Sequence, residues 1–222
     1  MLSADLHVHT ACSGDGESQV AEVLTAARAA GLDVIAITDH DTTEGCRIAA
    51  ELPPGDILII PGVEVTTLQG HLLVLGASGP IPKGLDVLET ITLAHSLGGI
   101  AILPHPFHRY RHGVGLKMKE ALLEADAIEV FNSRYILGGA NRRAFRWARR
   151  LGKPMIAGSD AHHCRYIGYG KTLIDADRNI GSVLEAIRNG KTRPLGRRTP
   201  VRTYTKQSLR NSWRKLKGRI TR

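Results

Sequence analysis

The sequence predicts an α/β fold, on three observations. Short apolar runs alternate with helix-period segments through most of the 222 residues. The runs are apolar on both faces, as strands covered by helices on either side must be. Most of them end in a side chain capable of chemistry. A hydrophobic content of 42% and this length suit one sizeable domain with a well-buried core.

The elements follow in order. "DLHVH" precedes the helical "VAEVLTAARAAG", and "DVIAITD" precedes "TTEGCRIAAEL". "DILIIPGVEV" is followed by a second apolar run, "GHLLVLG", before the helical "LDVLETITLAHSLGG". Then come "IAILPH" with "GLKMKEALLEA", "AIEVFN" with "ANRRAFRWARRLG", "PMIAGSD", a strand near "YGKTLID", and the helical "IGSVLEAIRNG". This pattern reads as six or seven β-α units, hence a parallel sheet covered by helices, either open and doubly wound or closed into a barrel. Gly31, Gly98 and Gly152 stand just past helical segments, where a chain commonly turns out of a helix.

The strand ends carry the chemistry. Residues i and i+2 of a strand share a face, so His7 and His9 form a two-ligand claw while Val8 turns to the opposite layer. Asp39 and His40 end the second run, Glu64 the third, His105 the "ILPHP" run, Asn132 the "EVFN" run, and Asp160 and His162 the "GSDAH" run, while His71 opens "GHLLVLG". Groups at the carboxyl ends of parallel strands converge on one mouth. Six of the ten histidines occupy these ends. Imidazoles and carboxylates without thiolates suit Mn, Zn or Fe better than Mg or Ca. His95, inside a helical segment, is expected to be a helix-surface or packing residue.

Charge divides the chain. Residues 186–222 hold thirteen Lys and Arg and no acid, leaving 17 basic against 21 acidic residues before them. The expected parts are a body over 1–198 and a basic, partly amphipathic tail over 199–222 whose Leu209, Trp213, Leu216 and Ile220 recur at helical spacing. That stripe is expected to pack on the body or on a second subunit; the basic face suits nucleic acid or an anionic surface. Cys12, Cys46 and Cys164 are odd in number and lack C-x-x-C spacing, so neither a disulfide framework nor a thiolate site is indicated. No run approaches the roughly 20 apolar residues of a membrane span, and "MLSADLHVHT" has no secretory character. A cytoplasmic location is expected.

The ordered motifs "DLHVHT", "TDHD", "GVE", "GH", "HP" and "SDAH" resemble the PHP (polymerase and histidinol phosphatase) superfamily over about residues 4–195. The resemblance implies a distorted (β/α)7 barrel of TIM-like type, with two to three divalent transition metals at its C-terminal mouth. It implies that His7, His9, Glu64 and Asp160 hold one metal, and that Glu64 bridges to a second on His71 and His105. Asp15, His40 and His162 would hold the third. Three departures stand out. The acid after the claw lies six positions past His9, leaving Glu17 as a substitute for Asp15. Phe107 takes the place of a frequent second histidine in "HPFH", displacing His108. Finally, only 33 residues separate His71 from His105, where some relatives carry a large insertion.

The implied activity is metal-dependent hydrolysis of phosphate esters, a phosphomonoesterase acting on a small phosphorylated metabolite or nucleotide through hydroxide activated by several metals. Asp160, His162 and Arg134 are the expected catalytic residues. Arg134, Arg109 and Arg111, with Asn132 and His108, are expected to bind substrate, because guanidinium matches phosphate bidentately. Asp39 and Asp160 are candidates for orienting ligand imidazoles. Two alternatives are a nuclease or exonuclease on RNA or DNA ends, and a non-catalytic metal-containing binding module.

Overall fold

A computed structural model describes residues 1–53, 55–109, 111–135 and 139–200. The amphipathic stripe expected between 209 and 220 therefore lies outside the described residues. The strands are β1 (Leu2–Val8), β2 (Val34–Ile37), β3 (Leu58–Thr66), β4 (His71–Leu75), β5 (Ile100–Leu103), β6 (Ala127–Asn132), β7 (Met155–Gly158), β8 (Gly170–Ile174) and β9 (Thr192–Gly196). They form one sheet in the order β7-β6-β5-β4-β3-β2-β1-β8-β9. The helices are α1 (Val20–Ala29), α2 (Glu44–Glu51), α3 (Val87–Ser96), α4 (Ala121–Glu124), α5 (Gly139–Leu151) and α6 (Ile180–Arg188).

The sheet curls until its ends nearly meet. Past the end of β7, the amide of Asp160 donates to the carbonyl of His7 at 2.8 Å, and the amide of His9 donates to Ala161 at 2.9 Å. This parallel bridge between Val8 and Ala161 all but closes a barrel of the TIM-like kind. The fold is thus α/β and barrel-shaped.

The expectation of a wholly parallel sheet needs correction. β4 runs antiparallel to both β3 and β5, and β8 and β9 add an antiparallel pair beyond β1. The reason for β4 is length: only four residues separate Thr66 from His71, enough for a hairpin and too few for a crossover helix. β9, from "TRPLG", carries no apolar alternation that would mark it in the sequence. The helical pattern over 115–125 also breaks up, into a single turn at Val114–Leu116 and the short α4.

Three apolar clusters build the body. Inside the barrel, Ala4, Leu6, Val34, Ala36, Ile60, Leu73, Leu75, Ile100 and Ile102 pack together with Val183, Leu184 and Ile187 of α6. Outside, α1 and α2 cover Val8, Ile35 and Ile37, while α3, α4 and α5 cover Val63, Val65, Leu72, Val74, Leu103 and Val130. Alternation then places Glu64 inward with Ile60, and His71 inward with Leu73 and Leu75. On β1 the register slips between Asp5 and Val8. Leu6 and His7 therefore both face inward, while Val8 turns out to the helices.

Candidate functional site

Because β4 is reversed, its first residue lies level with the last residues of the parallel strands; His71 pairs with Thr66 at the end of β3. Its ring therefore joins those that follow β1, β2, β5 and β7. At the centre lies the Glu64 carboxylate, buried and surrounded by five imidazoles. Its Oε1 is 2.9 Å from His71 Nδ1 and 2.9 Å from His105 Nε2. Its Oε2 is 3.2 Å from His7 Nε2, 3.1 Å from His9 Nε2 and 3.4 Å from His40 Nδ1. Burial pushes this carboxyl up, but the His40, His7 and His71 rings outweigh it and hold it well below the usual range.

The other acids take the flanks. Asp160 Oδ1 lies 3.6 Å from His9 Nε2 and 3.9 Å from His7 Nε2. Asp15 Oδ2 lies 2.9 Å from His162 Nε2 and 3.7 Å from His40 Nε2. The acid that enters the cleft after the claw is thus Asp15, and its Oδ1 accepts a 2.7 Å bond from Ser13. All nine residues expected as metal ligands come together, in four groups that could each hold an ion: His9, Asp15, His40 and His162; His7, His105 and Asp160; His7, His9 and Glu64; and His40, Glu64 and His71.

The donor chemistry fits divalent metals. Nε2 of His9 and Nδ1 of His105 are buried without a hydrogen bond, although His9 Nε2 lies only 3.1 Å from a Glu64 oxygen. A carboxylate has about four lone-pair sites in its own plane, so it cannot accept from five rings at once. Ring nitrogens so placed are suited to share the carboxylate through cations. Burial and the neighbouring His162 hold His9 well below its usual range, keeping the ring neutral as a ligand must be.

A supporting layer fixes these rings. Glu129 Oε1 accepts from His7 Nδ1 at 3.0 Å, leaving Nε2 to face the site. Glu129 Oε2 accepts the His105 amide at 2.8 Å and the Asn132 side chain at 2.9 Å. A register slip between Glu129 and Phe131 makes this geometry: the extra residue brings positions 129 and 132 to the same face, which strict alternation forbids. Asp160 and His105 sit at φ of 52° and 32°, the left-handed region that side chains other than glycine adopt only when the surroundings demand it. Those surroundings are the amide bonds from Asp160 to His7 and from His105 to Glu129.

Arg134 and Arg111 line the cleft with His112, Asp15, His40, Glu64, His71, His105, Asp160 and His162, around about 240 Å³. Arg134 Nη1 is 3.1 Å from Asp160 Oδ1 and 2.9 Å from His162 Nε2, and Arg111 bonds Asp160 Oδ2. Burial raises the Asp160 carboxyl, but Arg111 and Arg134 outweigh it and hold it well below the usual range. The remaining expected substrate residues are elsewhere. Arg109 is exposed outside the cleft lining. His108 stacks on Tyr135 at 4.8 Å. Asn132 spends its amide on Glu129 and Asp160, at 2.9 and 3.1 Å.

Asp39 orients no imidazole among the described residues. It accepts from the amide and hydroxyl of Thr10, at 2.6 and 2.8 Å, and clamps the turn after the claw. His95 bonds Asp126 at 2.8 Å on the surface, away from the cleft. Sequence reasoning missed Glu129 and His112. An acid inside the apolar "AIEVFN" was a readable signal for the first, whereas nothing local marks His112, whose ring lies 5.2 Å from that of His71.

Residues 5–121 match the PHP domain family, and residues 138–192 match the PHP-associated family. An uncharacterized protein of Methanocaldococcus jannaschii is 33% identical over 154 residues, which is 64% of this chain and 89% of the relative. A two-domain protein from Bacteroides vulgatus, containing a predicted PHP-like metal-dependent phosphoesterase, superposes with a TM-score of 0.72 at 23% identity, over 88% of this chain and 65% of that one. The lesion-specific endonuclease of Pyrococcus furiosus superposes with a TM-score of 0.67 at 17% identity, over 87% of this chain and 57% of that one. The chain thus spans about two thirds of the first solved relative and rather more than half of the second.

Proposed function

The chain belongs to the PHP domain family, and on that footing we propose that it hydrolyses phosphate esters with two to three divalent transition metals at the mouth of the barrel. The observation that carries the reading is one buried carboxylate, Glu64, set among five imidazoles with Asp15 and Asp160 beside it. His7, His9, Glu64 and Asp160 would hold one ion, His71 and His105 a second with Glu64 between, and Asp15, His40 and His162 a third. Bound there, such ions supply an activated water and neutralise charge on the phosphoryl oxygens.

The protein's own groups do the rest. Glu129 holds the His7 tautomer, and Asn132 and the two arginines hold Asp160. Arg134 and Arg111, each with five N–H donors, bind phosphate oxygens at the cleft edge and stabilise the charge that develops in the transition state. Asp160 and His162 lie against Arg134 and hold its guanidinium toward the cleft. A cleft of about 240 Å³ falls below the roughly 300–1,000 Å³ that encloses drug-sized ligands, so it admits a phosphate group rather than a whole large substrate. We take that group to be the phosphomonoester of a small metabolite or nucleotide. A second reading takes nucleic acid as the substrate, on the likeness to an endonuclease, and puts the cut at strand ends because the cleft takes only the end of a longer molecule.

The test is elemental analysis of protein purified without chelator, paired with turnover of p-nitrophenyl phosphate, mononucleotides and oligonucleotides after manganese loading. Two to three transition ions per chain, with His9→Ala and Glu64→Ala losing both ions and turnover, are expected. Persistent absence of metal after reconstitution would overturn the reading.

A further inference from the structure

The proposed chemistry uses none of the five arginines on α5. Arg142, Arg143, Arg146, Arg149 and Arg150 share this helix with no acidic residue. All five are exposed, and among the described residues no carboxylate pairs with any of them. At 3.6 residues per turn, Asn141, Ala144 and Ala148 form the buried side, and the arginines fill the opposite arc. Phe145 stands among them, 45% exposed, three residues after Arg142 and four before Arg149. Arg143 lies 4.5 Å over the Phe107 ring and Arg150 5.9 Å from Trp147. Arg142, Arg146 and Arg149 are left as an outward stripe about 10 Å long, three cations on flexible arms that can each meet a separate phosphate of one strand.

The helix is tied to the cleft. Asn141 accepts from the amide of Asn132 and donates to its carbonyl, both at 3.1 Å, and the Asn132 side chain reaches Asp160 at 3.1 Å. Because α5 follows β6, its first turn lies at the mouth and its axis leads away from it. Cations in a row with an exposed aromatic ring between them fit a strand whose phosphates are paired and whose bases stack. A membrane surface fits poorly, since the apolar side of α5 is already covered by the body and no apolar face remains to insert.

We propose that the outer face of α5 is a track for single-stranded nucleic acid, leading the end of the strand to the cleft. Binding stands on α5 itself; the strand's role as substrate rests on the phosphate-ester reading. The test uses the full chain and a fluorescein-labelled single-stranded DNA of about 12 nucleotides, with anisotropy read across a salt series. The triple variant Arg142→Gln, Arg146→Gln, Arg149→Gln should bind at least about ten-fold more weakly. Its log-log salt slope should shrink by about 2, at roughly 0.7 for each phosphate no longer neutralised. Phe145→Ala should weaken binding about five-fold or more because a base can no longer stack there, with the slope unchanged. Both variants should melt like the parent and turn over p-nitrophenyl phosphate at the parent rate. A triple variant that binds like the parent would assign the binding to residues 199–222 and overturn the proposal. Competition by polyglutamate as effective as that by oligonucleotide at equal charge would overturn the nucleic-acid assignment in favour of an acidic protein. A parent that binds DNA through α5 but hydrolyses no phosphate ester would sink the phosphate-ester reading and leave the track standing.

Discussion

Single side chains decide the chemistry of the mouth. Glu129 touches no cleft surface, yet it fixes His7, the His105 amide and Asn132 together. Glu129→Gln replaces one acceptor oxygen by a donor facing a donor, and metal affinity should fall about 10- to 100-fold, read by competition with a chelating dye. Arg134→Ala should lower kcat/KM roughly 10- to 1000-fold, about 1.4 to 4 kcal/mol, with metal content kept. Arg134→Lys should recover only part, because an ammonium lacks the planar fork. Unchanged kinetics would move the phosphate-binding role to Arg111. His108 sets a pH dependence: burial, then the Arg111 charge, pushes its imidazole down to about 4. Its folded value lies below its unfolded one, so the unfolded chain binds the proton first as pH falls. Its stabilising contribution is complete above about 6.5, is lost as pH falls toward 4, and stays well below the roughly 3 kcal/mol that such a shift would carry in full, because the ring is only part-buried and solvent screens it. Urea denaturation of chelated His108→Gln should therefore lose less stability between pH 7 and 5 than the parent does.

At the scale of elements, two departures from regular strand geometry build the cleft. The reversed β4 delivers His71 to the mouth, and the slip in β6 turns Glu129 and Asn132 to one side. α5 is then pinned to that slip through Asn141. Asn141→Ala leaves the buried amide of Asn132 unpaired, at about 1 to 3 kcal/mol, while its carbonyl keeps the Tyr135 amide at 3.3 Å. Urea denaturation should show the loss, and turnover should fall with it because Asn132 also holds Asp160. Full activity in that variant would show that α5 does not hold the site.

For the molecule as a whole, the barrel interior forms the floor of the cleft, with α6 packed into the same apolar cluster. A rigid floor and five crowded imidazoles make the folded state the one that binds metal, so ions present at 100 times their dissociation constant add about 2.7 kcal/mol to stability. Chelation should then lower the melting temperature by roughly 5 to 10 °C for a body of this size. Glu64→Gln should show little of that metal-dependent shift. Among the described residues no helix is long and apolar enough to cross a membrane.

Much of this was legible in the chain. Alternating apolar runs and helical segments gave the α/β class, since the periods of strand and helix are local properties of the backbone. His7 and His9 share a face for the same reason, and the polar strand ends marked where chemistry gathers. Three things were decided only by tertiary structure. The antiparallel seat of β8 beyond β1 and the presence of β9 depend on which edges were left to pair, whereas the reversal of β4 was readable in the short loop before it. The choice of Asp15 over Glu17, and the withdrawal of Asp39 to Thr10 and of Arg109 to the surface, depend on which side chain the closed loops aim inward. Glu129 became a support because a one-residue slip in β6 reset the phase of the strand against β7. Local sequence sets the period of a strand, but its phase relative to its neighbours is set by the packing of the whole sheet.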